Sequence, residues 1–220
     1  MFMKSVKKEF IISIVLLFTS VLYTVLVKTI DVQAIGPNGS SVGFATINQF
    51  VGNIVNENEL WYKITKYITV IPLFMALVYA LIGFKQLIKR KSLFKVDKEL
   101  VGLGVFYLLV IGLYVFFEIF IVNYRPVLMD GELEASYPSS HTLMALCLCG
   151  SSILLNKIKY NKYPISKIIN PILLVVMIVI VVGRLLSGVH WFSDILGGVI
   201  ISSLLIMMYY TYLKFLGTSK

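Results

Sequence analysis

The chain has 220 residues, of which 58% are hydrophobic and 14% are charged. This composition excludes a soluble globular protein and predicts one all-α domain, residues 1–220, that crosses a membrane several times. The net charge of +9 would suit a nucleic-acid surface, but in membrane proteins the excess of Lys and Arg gathers in the cytoplasmic loops. We therefore expect the lipid bilayer, and not nucleic acid, as a partner. No feature of the sequence predicts an oligomeric state.

Six apolar runs are candidates for spanning a bilayer. In chain order they are Phe10–Val27, Tyr67–Phe84, Leu100–Val122, the run from His141 to about Leu155, Ile168–Val182 and Ile195–Leu213. We interpret the first as an uncleaved span and not as a signal peptide, because 18 residues is long for the apolar core of a signal sequence. The sequence thus predicts six transmembrane helices.

The polar segment after the first run carries a further helical signal. Its apolar residues recur at intervals of three or four, at Phe44, Ile47, Val51, Ile54 and Val55. This spacing predicts an amphipathic helix on the outer membrane surface. Trp61 and Tyr62 come next, and we expect them to lie at the membrane interface before the second span.

The distribution of Lys and Arg predicts the orientation. Fifteen of the twenty lie at the two termini and in the second and fourth connections. Because positive charge collects on the cytoplasmic side, both termini are predicted to be cytoplasmic. The first, third and fifth connections then face outward.

Five polar residues fall at the outer ends of spans three to six: Arg125, His141, Arg184, His190 and Asp194. Such groups are costly at the edge of the hydrocarbon, so they indicate a functional site. Two arginines, two histidines and a carboxylate are suited to binding an anion and moving protons. His190 and Asp194 are four residues apart, which predicts one helix face and a carboxylate that fixes the imidazole tautomer.

The stretch Pro138-Ser139-Ser140-His141 opens the fourth span. Backbone N–H groups at a helix N-terminus bind anions, and the Ser139 hydroxyl is a further donor. Ser139 is equally suited to be an ordinary N-cap. The sequence contains no Cys or His cluster at zinc spacing, and it predicts neither a metal nor a cofactor.

These residues form three motifs that resemble the type 2 phosphatidic acid phosphatase superfamily, integral-membrane lipid phosphatases related to vanadium haloperoxidases. The family signature K-x6-R-P, P-S-G-H and S-R-x5-H-x3-D corresponds here to Glu118–Pro126, Pro138–His141 and Gly183–Asp194. The core motifs span residues 118–194, and the resemblance extends over Leu100–Leu213. It implies a multi-pass protein of the cell membrane, and we expect a bacterial one.

The resemblance also implies roles. His190 would attack phosphorus and carry a transient phosphohistidine, Asp194 would orient it, and His141 would protonate the leaving oxygen and then activate water. The phosphoryl oxygens would be held by Arg125, Arg184, Ser139 and Ser140. No metal is required. The expected substrate is a membrane lipid phosphate at the outer face: an isoprenoid pyrophosphate, phosphatidylglycerophosphate or phosphatidate.

Three positions depart from the signature. Ser140 stands for Gly, Gly183 for Ser, and Glu118 for a phosphate-binding Lys. We expect Glu118 to pair with Arg125 or Arg184; the alternatives are a protonated carboxyl and a contact with a cationic part of the substrate. Because of Glu118, two other functions stay open: a lipid phosphotransferase or head-group enzyme, and a non-catalytic lipid-binding relative. A further alternative is a metal hydrolase built from Glu118, Asp130, Asp194 and the two histidines.

Overall fold

The computed structural model describes residues 2–55 and 57–218. Its α-helices are α1 Phe2–Thr29, α2 Ala45–Ile54, α3 Glu59–Ile68, α4 Val70–Arg90, α5 Lys98–Ile119, α6 Ser140–Ile158, α7 Pro164–Leu186 and α8 Phe192–Thr218. Only isolated β-bridges, and no strands, occur within the described ranges. The predicted all-α fold is confirmed.

Six helical segments of the described chain are long and apolar enough to cross a membrane, which confirms the predicted number of spans. The second span starts earlier than predicted, because α3 and α4 together run from Glu59 to Arg90. The Asn58 side chain accepts a hydrogen bond from the backbone N–H of Trp61 at 3.1 Å and caps α3. The prediction that Trp61 and Tyr62 precede the span is therefore wrong: both lie inside α3.

Helices α6 and α8 form the centre of the bundle. Each buries more than half of its spanning residues, whereas the other spans bury less than a third. Helix α1 packs along α8, and an ion pair between Glu9 and Lys214 joins them near the two chain ends. Consecutive spans run in opposite directions. The C-terminal ends of α5 and α7 therefore meet the N-terminal ends of α6 and α8 at the other end of the bundle.

The predicted amphipathic helix corresponds to α2. It buries Ala45 and Asn48 and leaves Ile47, Phe50 and Ile54 exposed. Helix α2 packs against α8. Its inner face is thus small and polar, and its outer face is apolar, which suits a helix between a protein and lipid.

The connection between α5 and α6 is fixed to the bundle by Tyr137. This side chain is 2% exposed, and its hydroxyl shares a 2.8 Å hydrogen bond with Thr24 of α1. Gly197 of α8 makes room for the ring, because a Cβ there would lie 2.3 Å from Cε2 of Tyr137. This packing sets the position of the neighbouring Ser136 and Ser139.

Candidate active site

His190 lies in the connection between α7 and α8, where Gly188 adopts a φ of +69° that favours glycine. The prediction that His190 and Asp194 share one helix face is wrong, because α8 begins at Phe192 and His190 precedes it. The Asp194 carboxylate accepts the backbone N–H of Trp191 at 3.0 Å, so it caps the start of α8. His190 therefore stands before the helix, and it is 4% exposed.

Two guanidinium groups contact the Nε2 atom of His190. Nη1 of Arg125 lies 3.1 Å from it, and Nη2 of Arg184 lies 3.3 Å from it. Arginine only donates hydrogen bonds, so Nε2 accepts and carries a lone pair. The proton of a neutral imidazole then resides on Nδ1, which is 3.0 Å from Oγ of Ser136. These contacts assign the tautomer that a nucleophilic Nε2 requires.

The hydroxyl of Ser136 stands between His190 and Asp194. Its Oγ accepts from Nδ1 of His190 and donates to Oδ2 of Asp194 at 2.6 Å. The predicted partnership of His190 and Asp194 thus runs through a third side chain. Sequence reasoning missed Ser136, and its only signal was its place two residues before Pro138 in the second motif.

The Asp194 carboxylate is fully buried and has further donors. Nδ2 of Asn123 lies 3.1 Å from its Oδ1, and the Trp191 N–H bonds its Oδ2. Asn123 also accepts the N–H of Gly43 at 2.9 Å. The sequence analysis did not identify Asn123, which ties the connection between α1 and α2 to the carboxylate. A buried charge with several donors keeps one position, as a group that orients a histidine must.

Arg125 and Arg184 are nearly buried, at 9% and 1% exposure. Nε of Arg125 forms an ion pair with Oε2 of Glu134 at 3.0 Å, although its N–H is not aligned as a hydrogen bond. Arg184 lies over the ring of Tyr62 at 5.2 Å, and its Nη1 is 3.5 Å from Oγ1 of Thr65. Among the described residues, no carboxylate forms an ion pair with Arg184. Buried guanidinium groups that converge in this way are suited to an anion.

Burial is the main reason that the pKa of His190 lies well below its usual range, and the positive charges of Arg125 and Arg184 lower it further. The imidazole is consequently neutral near pH 7. Its Nε2 lone pair is available at the pH at which the cell works.

The start of α6 brings three of the predicted residues to the same place. The N–H of Ser139 donates to the carbonyl of Asp194 at 3.0 Å and joins α6 to α8. Ser139 occupies the predicted N-cap position of α6, but its hydroxyl makes no capping hydrogen bond. Ser140 lines a small cavity with His190. Within the described chain, Oγ of Ser139, Nδ1 of His141 and Nε of Arg184 are buried and lack a hydrogen-bond partner. Such unsatisfied donors and acceptors in one cluster are typical of a ligand site.

Glu118 occupies the last turn of α5 and is exposed. It lines the same small cavity as His190 and Ser140. The predicted pairing of Glu118 with Arg125 or Arg184 is wrong, because the ion pair of Arg125 is made with Glu134. In the part of the chain that the structure describes, no ion pair includes Glu118.

The departure at Gly183 has a steric cause. A Cβ at this position would lie 2.5 Å from Cγ2 of Thr65 and 2.9 Å from Cε3 of Trp61. Helix α3 thus occupies the space that a serine side chain would need. The remaining departure, Ser140, lies in ordinary helical backbone and needs no glycine.

The alternative of a metal hydrolase finds no support in the geometry. Asp130 is exposed at a turn of the loop between α5 and α6. The described residues contain no group of three or more His, Cys, Asp or Glu side chains placed to hold a metal ion.

Comparisons with known proteins place this arrangement in a family. A search of curated proteins found no match. Among solved structures, the chain is similar to the crystal structure described as the first transmembrane PAP2-type phosphatidylglycerolphosphate phosphatase from Bacillus subtilis. The two are 21% identical with a TM-score of 0.56, over 91% of this chain and 94% of that chain, so the fold is shared. The model of the PAP2 superfamily matches residues 70–217, about two thirds of the sequence, and this protein therefore belongs to the PAP2 superfamily.

Proposed function

We propose that this protein hydrolyses a phosphate or diphosphate ester of a membrane lipid at the outer membrane face through a phosphohistidine on His190. Membership of the PAP2 superfamily supports lipid phosphatase activity at the level of the family. The observation that carries the proposal is the contact of two buried guanidinium groups with Nε2 of a neutral histidine. An anion that binds the two arginines meets a nucleophile at the same point.

In the first step, the Nε2 lone pair of His190 forms a bond to phosphorus. The bond from phosphorus to the lipid oxygen breaks, its electron pair goes to that oxygen, and His141 supplies the proton. Arg125 and Arg184 hold the phosphoryl oxygens as charge spreads over them. The hydroxyl of Ser139 has no hydrogen-bond partner among the described residues and is a further donor for them.

The attack makes the imidazole positively charged. Asp194 opposes this charge through the hydroxyl of Ser136, because the Nδ1 proton stays bonded to Oγ of Ser136 and Oγ stays bonded to the carboxylate. In the second step, His141 takes a proton from water and the oxygen attacks phosphorus. The bond from phosphorus to nitrogen breaks, its electrons return to Nε2, and phosphate leaves. The arginines supply the positive charge that a metal ion provides in other phosphatases, so the reaction proceeds without a metal.

The proposed orientation rests on the distribution of Lys and Arg. Cysteine placed at Asn38 or Asp130 should react from outside intact cells with an impermeant thiol reagent. Cysteine at Ser92 or Asn161 should react only after the membrane is opened. The reverse pattern would place the site on the cytoplasmic side.

The function is tested with purified protein in detergent and a panel of phosphatidate, phosphatidylglycerophosphate and an isoprenoid diphosphate. Phosphate release from at least one lipid is expected in the presence of a chelator, with His190→Ala as the blank. Rapid quenching with a substrate labelled in the phosphoryl group should give an acid-labile, base-stable label on the protein. Turnover in His190→Ala equal to that of the wild type would refute the covalent mechanism.

A further inference from the structure

Helix α3 brings a third cation to the site. Two positive groups lie near the ring of Tyr62, with Cζ of Arg184 at 5.2 Å and Nζ of Lys66 at 5.9 Å from its centroid. Because both distances are measured to the centroid of the Tyr62 ring, Cζ of Arg184 and Nζ of Lys66 are no more than about 11 Å apart. Helix α3 ends at Ile68 and therefore precedes the part of the chain, residues 70–217, that the family model matches.

The approach of α3 to the site is well defined. Thr65, one residue before Lys66, is fully buried, and its hydroxyl lies 3.5 Å from Nη1 of Arg184. Gly183 of α7 permits this contact, because any Cβ there would collide with Thr65. The absence of a side chain at Gly183 thus allows α3 to pack closely against α7 beside the site.

Lys66 and His141 lie on helices that share a neighbour. Helix α7, which carries Arg184, packs against both α3, which carries Lys66, and α6, which carries His141. The ammonium of Lys66 is exposed, and no ion pair of the described chain includes it. The neighbouring Lys63, in contrast, is held by Glu59 at 2.7 Å. Lys66 is therefore available to a ligand, and Lys63 is engaged elsewhere.

His141 donates its proton to the leaving oxygen in the proposed reaction, so the group beyond that oxygen lies on the side of His141, at the start of α6, which packs against the same helix α7 as α3 does. In phosphatidate this group is an uncharged diacylglycerol. In an isoprenoid diphosphate or in phosphatidylglycerophosphate it carries a second phosphate. Four rotatable bonds let a lysine ammonium follow phosphates at different distances.

Helix α5 carries the opposite charge, and it packs against α6 and α8, whereas α3 packs against α7. Glu118 lines the cavity beside His190 from α5, and a carboxylate there repels an anionic group. A second phosphate is consequently disfavoured along α5 and favoured along α3.

We propose that Lys66 binds a second phosphate on the leaving side and makes the protein selective for lipids that carry two phosphates. This inference rests on the proposed function. The shared chemistry is that of a second phosphate, and the isoprenoid diphosphate and phosphatidylglycerophosphate are its two sources.

The test compares Lys66→Gln with Lys63→Gln, which removes the same charge from the same helix. On a lipid with two phosphates, Lys66→Gln should lower kcat/KM by about 10- to 100-fold, the usual effect of losing one charge-assisted hydrogen bond, and mainly through KM. On phosphatidate the loss in kcat/KM should stay within about threefold, because this lipid has no second phosphate and the binding of its reacting phosphate is unchanged. Lys63→Gln should resemble the wild type on every lipid, and Lys66→Arg should retain most of the activity.

The double variant Lys66→Gln/Glu118→Lys moves the cation from α3 to α5. It should not restore selectivity for the second phosphate, because that phosphate lies along α3. Equal losses on phosphatidate and on the lipids with two phosphates, or no loss on any, would overturn the inference. If the wild type released phosphate from none of the lipids, the proposed function itself would fail, and that result is distinct from an unselective Lys66→Gln. The lipid on which Lys66→Gln loses more activity identifies the source of the second phosphate.

Discussion

Ser136 provides the most direct test of the assigned tautomer. Substitution of Ser136 with Ala removes one hydroxyl from a side chain that is only 2% exposed and leaves the backbone in place. It breaks two hydrogen bonds, at 3.0 Å to Nδ1 of His190 and at 2.6 Å to Oδ2 of Asp194. The carboxylate retains its bonds from Asn123 and Trp191, so its position should change little.

The expected loss of kcat follows from the positive charge that forms on the His190 imidazole, which the hydrogen bond to Ser136 stabilises. Hydrogen bonds to charged groups contribute about 1.5 to 3 kcal/mol, and the imidazole becomes charged only as Nε2 attacks phosphorus. We therefore expect Ser136→Ala to lower kcat by about 10- to 150-fold, with little change in KM. Ser136→Thr keeps the hydroxyl and should lose less activity than Ser136→Ala.

The assay is steady-state phosphate release with kcat and KM measured separately, together with the rate of phosphohistidine formation after rapid quenching. Ser193→Ala is the matched control, because its buried hydroxyl lies 3.5 Å from the other carboxylate oxygen of Asp194 and does not contact His190. The control should retain kcat within about threefold, because its contact with the carboxylate is long, at 3.5 Å, and its shorter bond, from Nδ2 of Asn48 at 2.9 Å, does not involve the histidine. If Ser136→Ala kept the kcat of the wild type while Asp194→Asn lost most of it, the relay through Ser136 would be refuted.

His190→Ala should abolish turnover, whereas Asp194→Asn should retain a small part of it, because the imidazole remains without its orienting charge; equal activity in the two variants would contradict this order. The pKa of His190 is lowered below the ordinary histidine value of 6.5, so the imidazole stays neutral as the pH falls through 6.5. The acid limb of the pH profile of kcat/KM that belongs to this group should therefore lie below pH 6.5. An acid limb of this group above pH 6.5 would contradict a neutral, buried His190. Burial raises the pKa of Asp97, but hydrogen bonds from Arg90, Gln86 and Lys159 outweigh it and hold the pKa at about 2. Asp97 therefore stabilises the fold above the unfolded-state pKa, a contribution lost as the pH falls towards 2, and Asp97→Asn should cost about 2 kcal/mol at pH 7 in unfolding experiments in detergent. An unchanged unfolding midpoint in Asp97→Asn would show that the ion pairs of Asp97 with Arg90 and Lys159 contribute nothing to stability.

The number and order of the spans could be predicted because hydrocarbon imposes a strong length and composition rule. The start of the second span could not, because α3 contains charged residues and has low hydropathy. Glu59 and Lys63 lie on its exposed side, where they form an i,i+4 ion pair at 2.7 Å. The opposite side is seated on α7 through the buried Thr65. Only tertiary packing distinguishes such a helix from a polar loop.

The charged part of the candidate site could be predicted for a related reason. Arg125, Arg184 and Asp194 are conspicuous at the ends of apolar runs because charge is costly there. Ser136 and Asn123 carry no charge and lie in a loop where serine and asparagine are common. Their contribution depends on distances to residues more than 50 positions away in the sequence. No local pattern encodes such distances.

The three departures from the family signature differ in their physical origin. Ser140 needs no explanation, because its backbone is helical. Gly183 is coupled to α3, because the helix fills the volume beside it with Thr65 and Trp61. Glu118 lines the cavity beside His190 from α5, and the cation that we propose for the second phosphate, Lys66, lies on α3 instead. A glycine on α7 and a carboxylate on α5 thus become consistent once α3 is part of the site, since the glycine admits the helix and the helix carries Lys66.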